Sequence, residues 1–143
     1  MKKEKERICY CRVSSSKQKK DLERQIEYMK DRYPENRIIS DIGSGLNYKR
    51  KGLKEIMDMA INGEIKELVI AYKDRLTRFG YEMIEYLIEK YSGGKIIIIN
   101  KDEEETPTEE VTKDLVAIMN VYVAKVNGLR KYKKQMKDVV VKN

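Results

Sequence analysis

Arg7-Ile8-Cys9-Tyr10-Cys11-Arg12-Val13 is a short and largely apolar run, and the residues that follow it change character at once. Ser14-Ser15-Ser16 ends the run. From Lys17 to about Arg32 the apolar positions Leu22, Ile26 and Met29 recur at helical spacing, until Pro34 closes the segment. A strand that empties through a polar loop into an amphipathic helix is the opening of a β-α-β unit, and the same alternation repeats downstream. Arg37 to Ile42 reads as a second strand, emptying into Gly43-Ser44-Gly45. Gly52 to Ile61 reads as a second helix, with Leu53, Ile56, Met57 and Ile61 apolar and Asn62-Gly63 as its stop. Leu68 to Tyr72 is a third strand and Tyr81 to about Tyr91 a third helix. Ile96-Ile97-Ile98-Ile99 is a fourth strand, whose unbroken aliphatic character suits cover on both faces. Strands alternating with helices predict an α/β fold built on a parallel, doubly wound sheet with right-handed crossovers.

The last third of the chain follows a different rule. Thr106-Pro107-Thr108-Glu109 places a threonine at an N-cap, proline at the first helical position and glutamate two further on. The helix this starts runs past Tyr132, to about residue 137, with only Gly128 interrupting. Leu115, Ile118, Met119, Tyr122 and Val126 form an apolar stripe along it. At 1.5 Å per residue such a helix reaches roughly 45 Å, more than one small domain covers, so a second chain or DNA is expected to lie against it. Residues 101–114 carry a net charge of −5 and residues 129–143 a net charge of +5. Acid at the start and base at the end complement the helix dipole. The functional alternative is that Arg130, Lys131, Lys133 and Lys134 follow a phosphate backbone. With no internal repeat and no low-complexity linker, residues 1–143 read as one domain, with a core at about 7–104 and the long helix at about 107–137.

Composition narrows the chemistry. The chain has 143 residues with 31 Lys+Arg against 24 Asp+Glu, a net charge of +7 that favours an anionic partner, nucleic acid first. Histidine is absent, which removes every Ser-His or Cys-His triad and every His-ligated metal site. Cys9 and Cys11 are too few for a four-thiolate zinc site. Two apart on a strand, they share a face and read as small buried hydrophobes, a redox or metal pair being the alternative. No run approaches the roughly 18–20 apolar residues of a membrane span, and the charged amino terminus lacks a signal peptide's apolar stretch. A cytoplasmic, prokaryotic protein is expected. Abundant Lys and Glu, three Gln and no Trp point to a source from a hot environment.

In an open parallel sheet, ligands bind at the carboxyl ends of the strands. Here those ends lead into Arg12-Val13-Ser14-Ser15-Ser16-Lys17-Gln18, into Gly43-Ser44-Gly45 with Arg50 beyond, and into Lys73-Asp74-Arg75-Leu76-Thr77-Arg78. The predicted topology gathers serines, arginines and one carboxylate at a single edge suited to phosphate. No Gly-Lys-Ser/Thr P-loop exists, and Gly43-Ser44-Gly45 lacks the third glycine of a dinucleotide fingerprint. Taken singly, each residue has a plainer role. Ser14 to Ser16 are candidate helix caps, Asp74 with Arg75 or Arg78 a surface ion pair worth at most about 1 kcal/mol, and Ser44-Gly45 an ordinary turn. Three phosphate-suited loops at one edge outweigh these together.

A family resemblance rests on the same residues. Tyr10-Cys11-Arg12-Val13-Ser14-Ser15, then Gln18, then Asp21-Leu22-Glu23-Arg24-Gln25, resembles the nucleophile segment of the serine recombinases, the resolvase and invertase family. Ser44-Gly45 with Arg50 resembles the family's second motif and Asp74-Arg75-Leu76-Thr77-Arg78 its third, in the same order, over about residues 7 to 130. Lys73 to Gly80 and Gly128-Leu129-Arg130 are most similar to insertion-sequence transposases in which a DNA-binding domain precedes the catalytic one. The resemblance implies a three-layer resolvase-like fold with a mostly parallel four-stranded sheet. It implies Ser14 as the nucleophile on a DNA phosphodiester, leaving a 5′-phosphoserine link and a free 3′-hydroxyl. Arg12, Arg75 and Arg78 would surround the scissile phosphate, Arg50 would add a contact, and Asp74 would orient the arginines. Gln18, Gln25, Ser44 and Gly45 would position the site. Double-stranded DNA is the implied partner, with a homodimer pairing into a tetramer through the Leu115–Val126 stripe, and neither metal, ATP nor other cofactor required. No sequence-reading module is recognisable in these 143 residues, so DNA targeting is expected from elsewhere.

The physics agrees with that assignment. A serine hydroxyl is a weak nucleophile at its free pKa, and without histidine the stabilisation of transition-state charge must carry more of the barrier. Guanidinium forks grip phosphate oxygens in pairs and remain protonated, and an arginine clamp is worth about 10³–10⁵ in rate in other phosphoryl-transfer enzymes. Two rival readings are a DNA-binding or assembly relative that keeps the fold without turnover, and a different phosphate-handling α/β enzyme. Intact Ser14, Arg12, Arg75 and Arg78 disfavour the first, and the missing P-loop and metal-ligand cluster disfavour the second.

Overall fold

The computed structural model describes residues 4–100 and 108–141, with side chains described at 4–100 and 110–129. Contacts divide the chain into two compact units, Met1–Thr106 and Pro107–Asn143. In the first, β1 (Glu6–Val13) leads through a 3-10 turn at Ser16–Gln18 into α1 (Lys19–Arg32). Then come β2 (Arg37–Ile42), α2 (Lys51–Ile61), β3 (Ile65–Ile70), the one-turn α3 (Lys73–Leu76), α4 (Tyr81–Leu87) and β4 (Lys95–Ile98). The sheet order is β2-β1-β3-β4 and every pairing is parallel. The expected four-stranded α/β architecture is therefore present.

Alternation along β1 explains the layering. Ile8 and Tyr10 face one core, shared with Leu53, Ile56 and Met59 of α2 and Ile84 of α4. Cys9, Cys11 and Val13 face the other, shared with Leu22 and Met29 of α1. The helices thus cover the sheet from both sides in three layers. Both cysteines are buried and unpaired, as their shared face suggests.

Three details differ from the sequence reading. β3 begins at Ile65 rather than Leu68, because the charged pair Lys66-Glu67 hides a strand start that pairing with β1 enforces. The Lys73–Leu76 segment, read as a loop, closes one helical turn. The third helix is α-helical only to Leu87 and then widens into a π-turn at Ile88–Ser92. β4 is an edge strand. Its Ile96 and Ile98 pack on one core, and Ile97 with the following Ile99 on the other, so both faces are covered but these four isoleucines are only half-buried.

The second unit is a single helix, α5 (Thr108–Val141), of 34 residues and so about 51 Å long. It runs through Gly128 without a break and extends beyond the expected end. The expected cap at Thr106-Pro107 lies outside the described residues, as do the side chains of Glu109, Arg130, Lys131, Lys133 and Lys134. No helix among the described residues is long and apolar enough to cross a membrane.

Candidate active site at the carboxyl edge of the sheet

β1 lies in the middle of the sheet, so its carboxyl end opens between the loops that follow β2 and β3. Arg12 sits on the same strand face as Ile8 and Tyr10 and is completely buried, at 0% exposure. Its Nε donates to Arg75 O at 3.0 Å and its Nη2 to Asp74 O at 2.6 Å. Its Nη1 donates to Gly43 O at 3.0 Å and to Ser14 Oγ at 3.3 Å. One guanidinium therefore joins all three loops and touches the candidate nucleophile. Arg50 is buried by the same means, donating to Asn47 O, Tyr10 Oη and Leu76 O, each at 2.7 Å. Asp74, Arg75 and Leu76 fill the last turn of α3, whose carbonyls find no partner within so short a helix. Arg12 and Arg50 supply those partners, and this is what makes a four-residue helix stable at the edge.

Ser14 is half-buried and stands apart from helix capping. The N-cap of the 3-10 turn is Ser15 and that of α1 is Gln18. Gln18 Oε1 accepts the N–H of Ser14 at 3.1 Å and of Ser15 at 3.3 Å, fixing the backbone around the hydroxyl. Gln25 grips Arg12 from α1, its Oε1 accepting Arg12 N–H at 3.3 Å and its Nε2 donating to Arg12 O at 3.2 Å. Arg75 Nη1 donates to the same carbonyl at 3.3 Å. Arg78 Nη1 lies 3.7 Å from Asp74 Oδ2 within a largely buried ion pair. Arg75 and Arg78 are less deeply buried as residues than Arg12 and Arg50. Ser44 Oγ accepts Leu46 N–H at 3.1 Å and so shapes its own loop. Gly45 permits a close approach: a Cβ there would stand 3.1 Å from Arg78 N and 3.4 Å from Arg12 Nη2.

The structure also brings in residues to which the sequence reading gave no role. Tyr10 Oη donates to Asp41 Oδ2 at 2.7 Å and accepts from Arg50. Burial raises the Tyr10 phenol well above its usual range, opposed by the Arg50 charge and reinforced by the bond to Asp41. Asp41 in turn accepts Gly52 N–H at 2.8 Å and Leu53 N–H at 2.9 Å, capping α2 from a neighbouring strand. Gly52 is required for that approach, since a Cβ would meet Ile39 Cγ2 at 2.7 Å and Asp41 Oδ2 at 2.8 Å. The available signal was an acidic residue on the inward face of β2, two after buried Ile39.

A cleft of about 760 Å³ lies at the opposite, amino edge of the sheet, lined by Glu4, Lys5, Glu6, Arg7, Glu35 and Arg37 among others. Arg7 bridges to Glu67 at 3.2 Å and Arg37 to Glu6 at 3.4 Å. Charges of both signs pair there, away from the gathered serine and arginines, and strand carboxyl ends are where parallel sheets hold ligands.

A serine set among arginines at the carboxyl edge of a parallel sheet is an arrangement suited to phosphate, and comparison with known proteins gives the family. The chain belongs to the resolvase family, serine recombinases, whose N-terminal-domain model matches residues 7–139. It is 62% identical over 135 residues to the Acanthamoeba polyphaga mimivirus protein named "Putative resolvase L103", covering 94% of this chain and 71% of that one. A second mimivirus relative, R771, is 58% identical over 125 residues, and the chain spans 66% of its length. Among solved structures, a serine recombinase from Sulfolobus solfataricus superposes with a TM-score of 0.80 at 41% identity, over 89% of each chain. The C-terminal catalytic domain of ISC1926 TnpA, an IS607-like serine recombinase, gives a TM-score of 0.77 at 38% identity, over 85% of each chain.

Proposed function

We propose that this chain cuts and rejoins double-stranded DNA through Ser14, as the catalytic domain of a transposase-type serine recombinase. Ser14 Oγ forms a bond to a backbone phosphorus while the bond from phosphorus to the 3′ oxygen breaks. The serine loses its proton, the departing 3′ oxygen gains one, and the 5′ phosphate remains esterified to the protein. Attack of a 3′-hydroxyl on that ester reverses the step and frees Ser14. One phosphodiester is exchanged for another of similar energy, so no ATP or metal is called for in the scheme.

The observation that carries this reading is Ser14 Oγ held 3.3 Å from Arg12 Nη1, outside any helix cap, with the arginine loop of α3 tied to the same guanidinium. Arg12 aims the hydroxyl and offers a positive field where charge develops on the phosphate. Arg75 and Arg78, less deeply buried than Arg12 and Arg50, are assigned to the non-bridging phosphate oxygens, and Asp74 orients Arg78. Arg50 supports the same edge from below through Leu76 O. Gln18 and Gln25 hold the backbones of Ser14 and Arg12, while Ser44 and Gly45 set the facing loop.

We assign residues 1–143 to one catalytic domain, with its core at 7–104 and the helix at 107–137. Leu115, Ile118, Met119 and Tyr122 are exposed along α5, and Val126 is half-buried. This stripe is assigned to pairing of two copies, with dimers meeting as a tetramer on DNA. The basic end of the helix, Arg130, Lys131, Lys133 and Lys134, is assigned to the phosphate backbone.

The test is a denaturant quench of the protein incubated with negatively supercoiled plasmid. Protein is expected on 5′ DNA ends, unaffected by a chelator, lost in Ser14→Ala and retained in Ser15→Ala. An adduct that survives Ser14→Ala would overturn the assignment.

A further inference from the structure

Two loops of the active edge are joined by a pair of hydroxyls that the chemistry above does not use. Thr77, extended and buried immediately after α3, places Oγ1 at 3.2 Å from Gly45 O, 3.0 Å from Tyr48 Oη and 2.7 Å from Phe79 O. Tyr48 reaches across from the facing loop and donates to Phe79 O. Two hydroxyl protons therefore face two carbonyls, one on each loop, and the hydroxyl oxygens touch each other. Arg78 N–H adds a third tie by donating to Gly45 O at 3.0 Å. Gly80 lets the phenol in: its φ is +85°, and a Cβ there would lie 2.5 Å from Tyr48 Oη.

These ties interleave with the residues assigned to the reaction. Thr77 separates Asp74-Arg75 from Arg78, and Tyr48 separates Ser44-Gly45 from Arg50. Arg12 and Arg50 already hold the carbonyls of Asp74, Arg75 and Leu76, so α3 is anchored without the hydroxyls. Beyond Leu76 the Arg78 side chain pairs with Asp74, while the backbone is tied to the facing loop by the Thr77, Tyr48 and Arg78 N–H contacts at Gly45 and Phe79. We infer that Thr77 and Tyr48 are positioning residues that lock the loop carrying Arg78 onto the Gly45 loop, fixing the Arg78 guanidinium relative to Ser14. This rests on the chemistry proposed for Ser14 and adds the means by which one phosphate-facing arginine is held in place.

Loss of the Thr77 hydroxyl alone leaves each of the two carbonyls a donor. In Thr77→Val the shape is kept, Gly45 O retains Arg78 N–H, and Phe79 O retains Tyr48. The test uses Thr77→Val, the double variant Thr77→Val/Tyr48→Phe and the hydroxyl-bearing Thr77→Ser. Amide hydrogen exchange of the labelled full chain is read first. Arg78 N–H is expected to exchange about tenfold faster in the double variant, with Val69 and Ile70 of β3 unchanged and Thr77→Ser close to wild type. Adduct formation on negatively supercoiled plasmid is read second. Its maximal rate is expected to fall about 10- to 100-fold in the double variant, with the half-saturating DNA concentration unchanged and the serine variant recovering most of the rate. Unchanged Arg78 exchange in the double variant, or a wild-type adduct rate in it, would overturn the inference. A wild-type protein that forms no Ser14-dependent adduct would instead overturn the function proposed, and Arg78 exchange would still decide the tie.

Discussion

Arg12 and Arg50 do at this edge what a longer helix would do for itself. A four-residue helix leaves its terminal carbonyls without main-chain partners, and two buried guanidiniums supply them from other loops. Planar, multiply donating arginine suits this, whereas the single ammonium of lysine reaches at most part of the same set. Arg12→Lys and Arg50→Lys are each expected to lower unfolding stability by about 2–4 kcal/mol in urea denaturation, since each strands buried carbonyls. Ser14→Ala, which removes one 3.3 Å contact at a half-buried position, is expected to stay within about 0.5 kcal/mol of wild type. Equal stability across all three variants would show that the arginines do not hold the edge together. Ser14 then differs from its neighbours in kind: its substitution removes chemistry and leaves the fold.

At the scale of elements, β1 carries most of the information. Its alternation sends Tyr10 and Arg12 toward the site and Cys9 and Cys11 into the apolar core beneath α1. Burial pushes the Cys9 thiol up to about 11 and the Cys11 thiol up to about 12, from 9.0. Raised thiol values mean that the folded chain keeps protons which the unfolded chain gives up. The stability due to neutral thiols is full below about pH 9 and is lost as pH climbs through 11 to 12. Both thiols should resist an aromatic disulfide reagent at pH 8 until urea is added, and the double cysteine-to-alanine variant should show a shallower alkaline loss of stability. Rapid labelling of either thiol in the native protein would contradict this burial.

The same strand shows what the sequence discloses and what it conceals. Strand and helix order, and the meeting of three loops at one edge, follow from hydrophobic period and the parallel-sheet rule, and they place Ser14, Arg12 and Arg75 together. Partner choice within the edge does not follow. Tyr10 and Asp41 meet only because β1 and β2 lie side by side, and Asp41 caps a helix that starts ten residues beyond it. Tyr48 and Thr77, 29 residues apart, are joined by loop geometry that no periodicity encodes. The segment from Lys73 to Leu76 is too short for a helical pattern and depends on arginines contributed from elsewhere.

At the scale of the whole molecule, α5 presents more apolar surface than its predicted stripe. Val111 and Leu129 lengthen it, and Val116 and Val123 widen it. Exposed aliphatic surface of this extent on one helix is the basis for the pairing proposed above. Met119→Lys, at the centre of the stripe, is expected to weaken self-association at least tenfold in sedimentation velocity, with helix content unchanged. A monomer in both forms at high concentration would count against the assignment. The net charge of +7 adds a second property of the whole chain: adduct yield on plasmid should fall steeply as salt rises.

The proposed reaction turns on a covalent bond between Ser14 and DNA. Its most direct measurement is mass spectrometry of the nuclease-trimmed, trypsin-digested adduct. Cleavage after Arg12 and Lys17 yields Val13-Ser14-Ser15-Ser16-Lys17, so fragmentation must distinguish three adjacent serines. The predicted result is a 5′-linked nucleotide phosphate on Ser14 alone, with the complementary DNA end carrying a free 3′-hydroxyl. A nucleotide on Ser15 or Ser16, or a link to a 3′ phosphate, would contradict it.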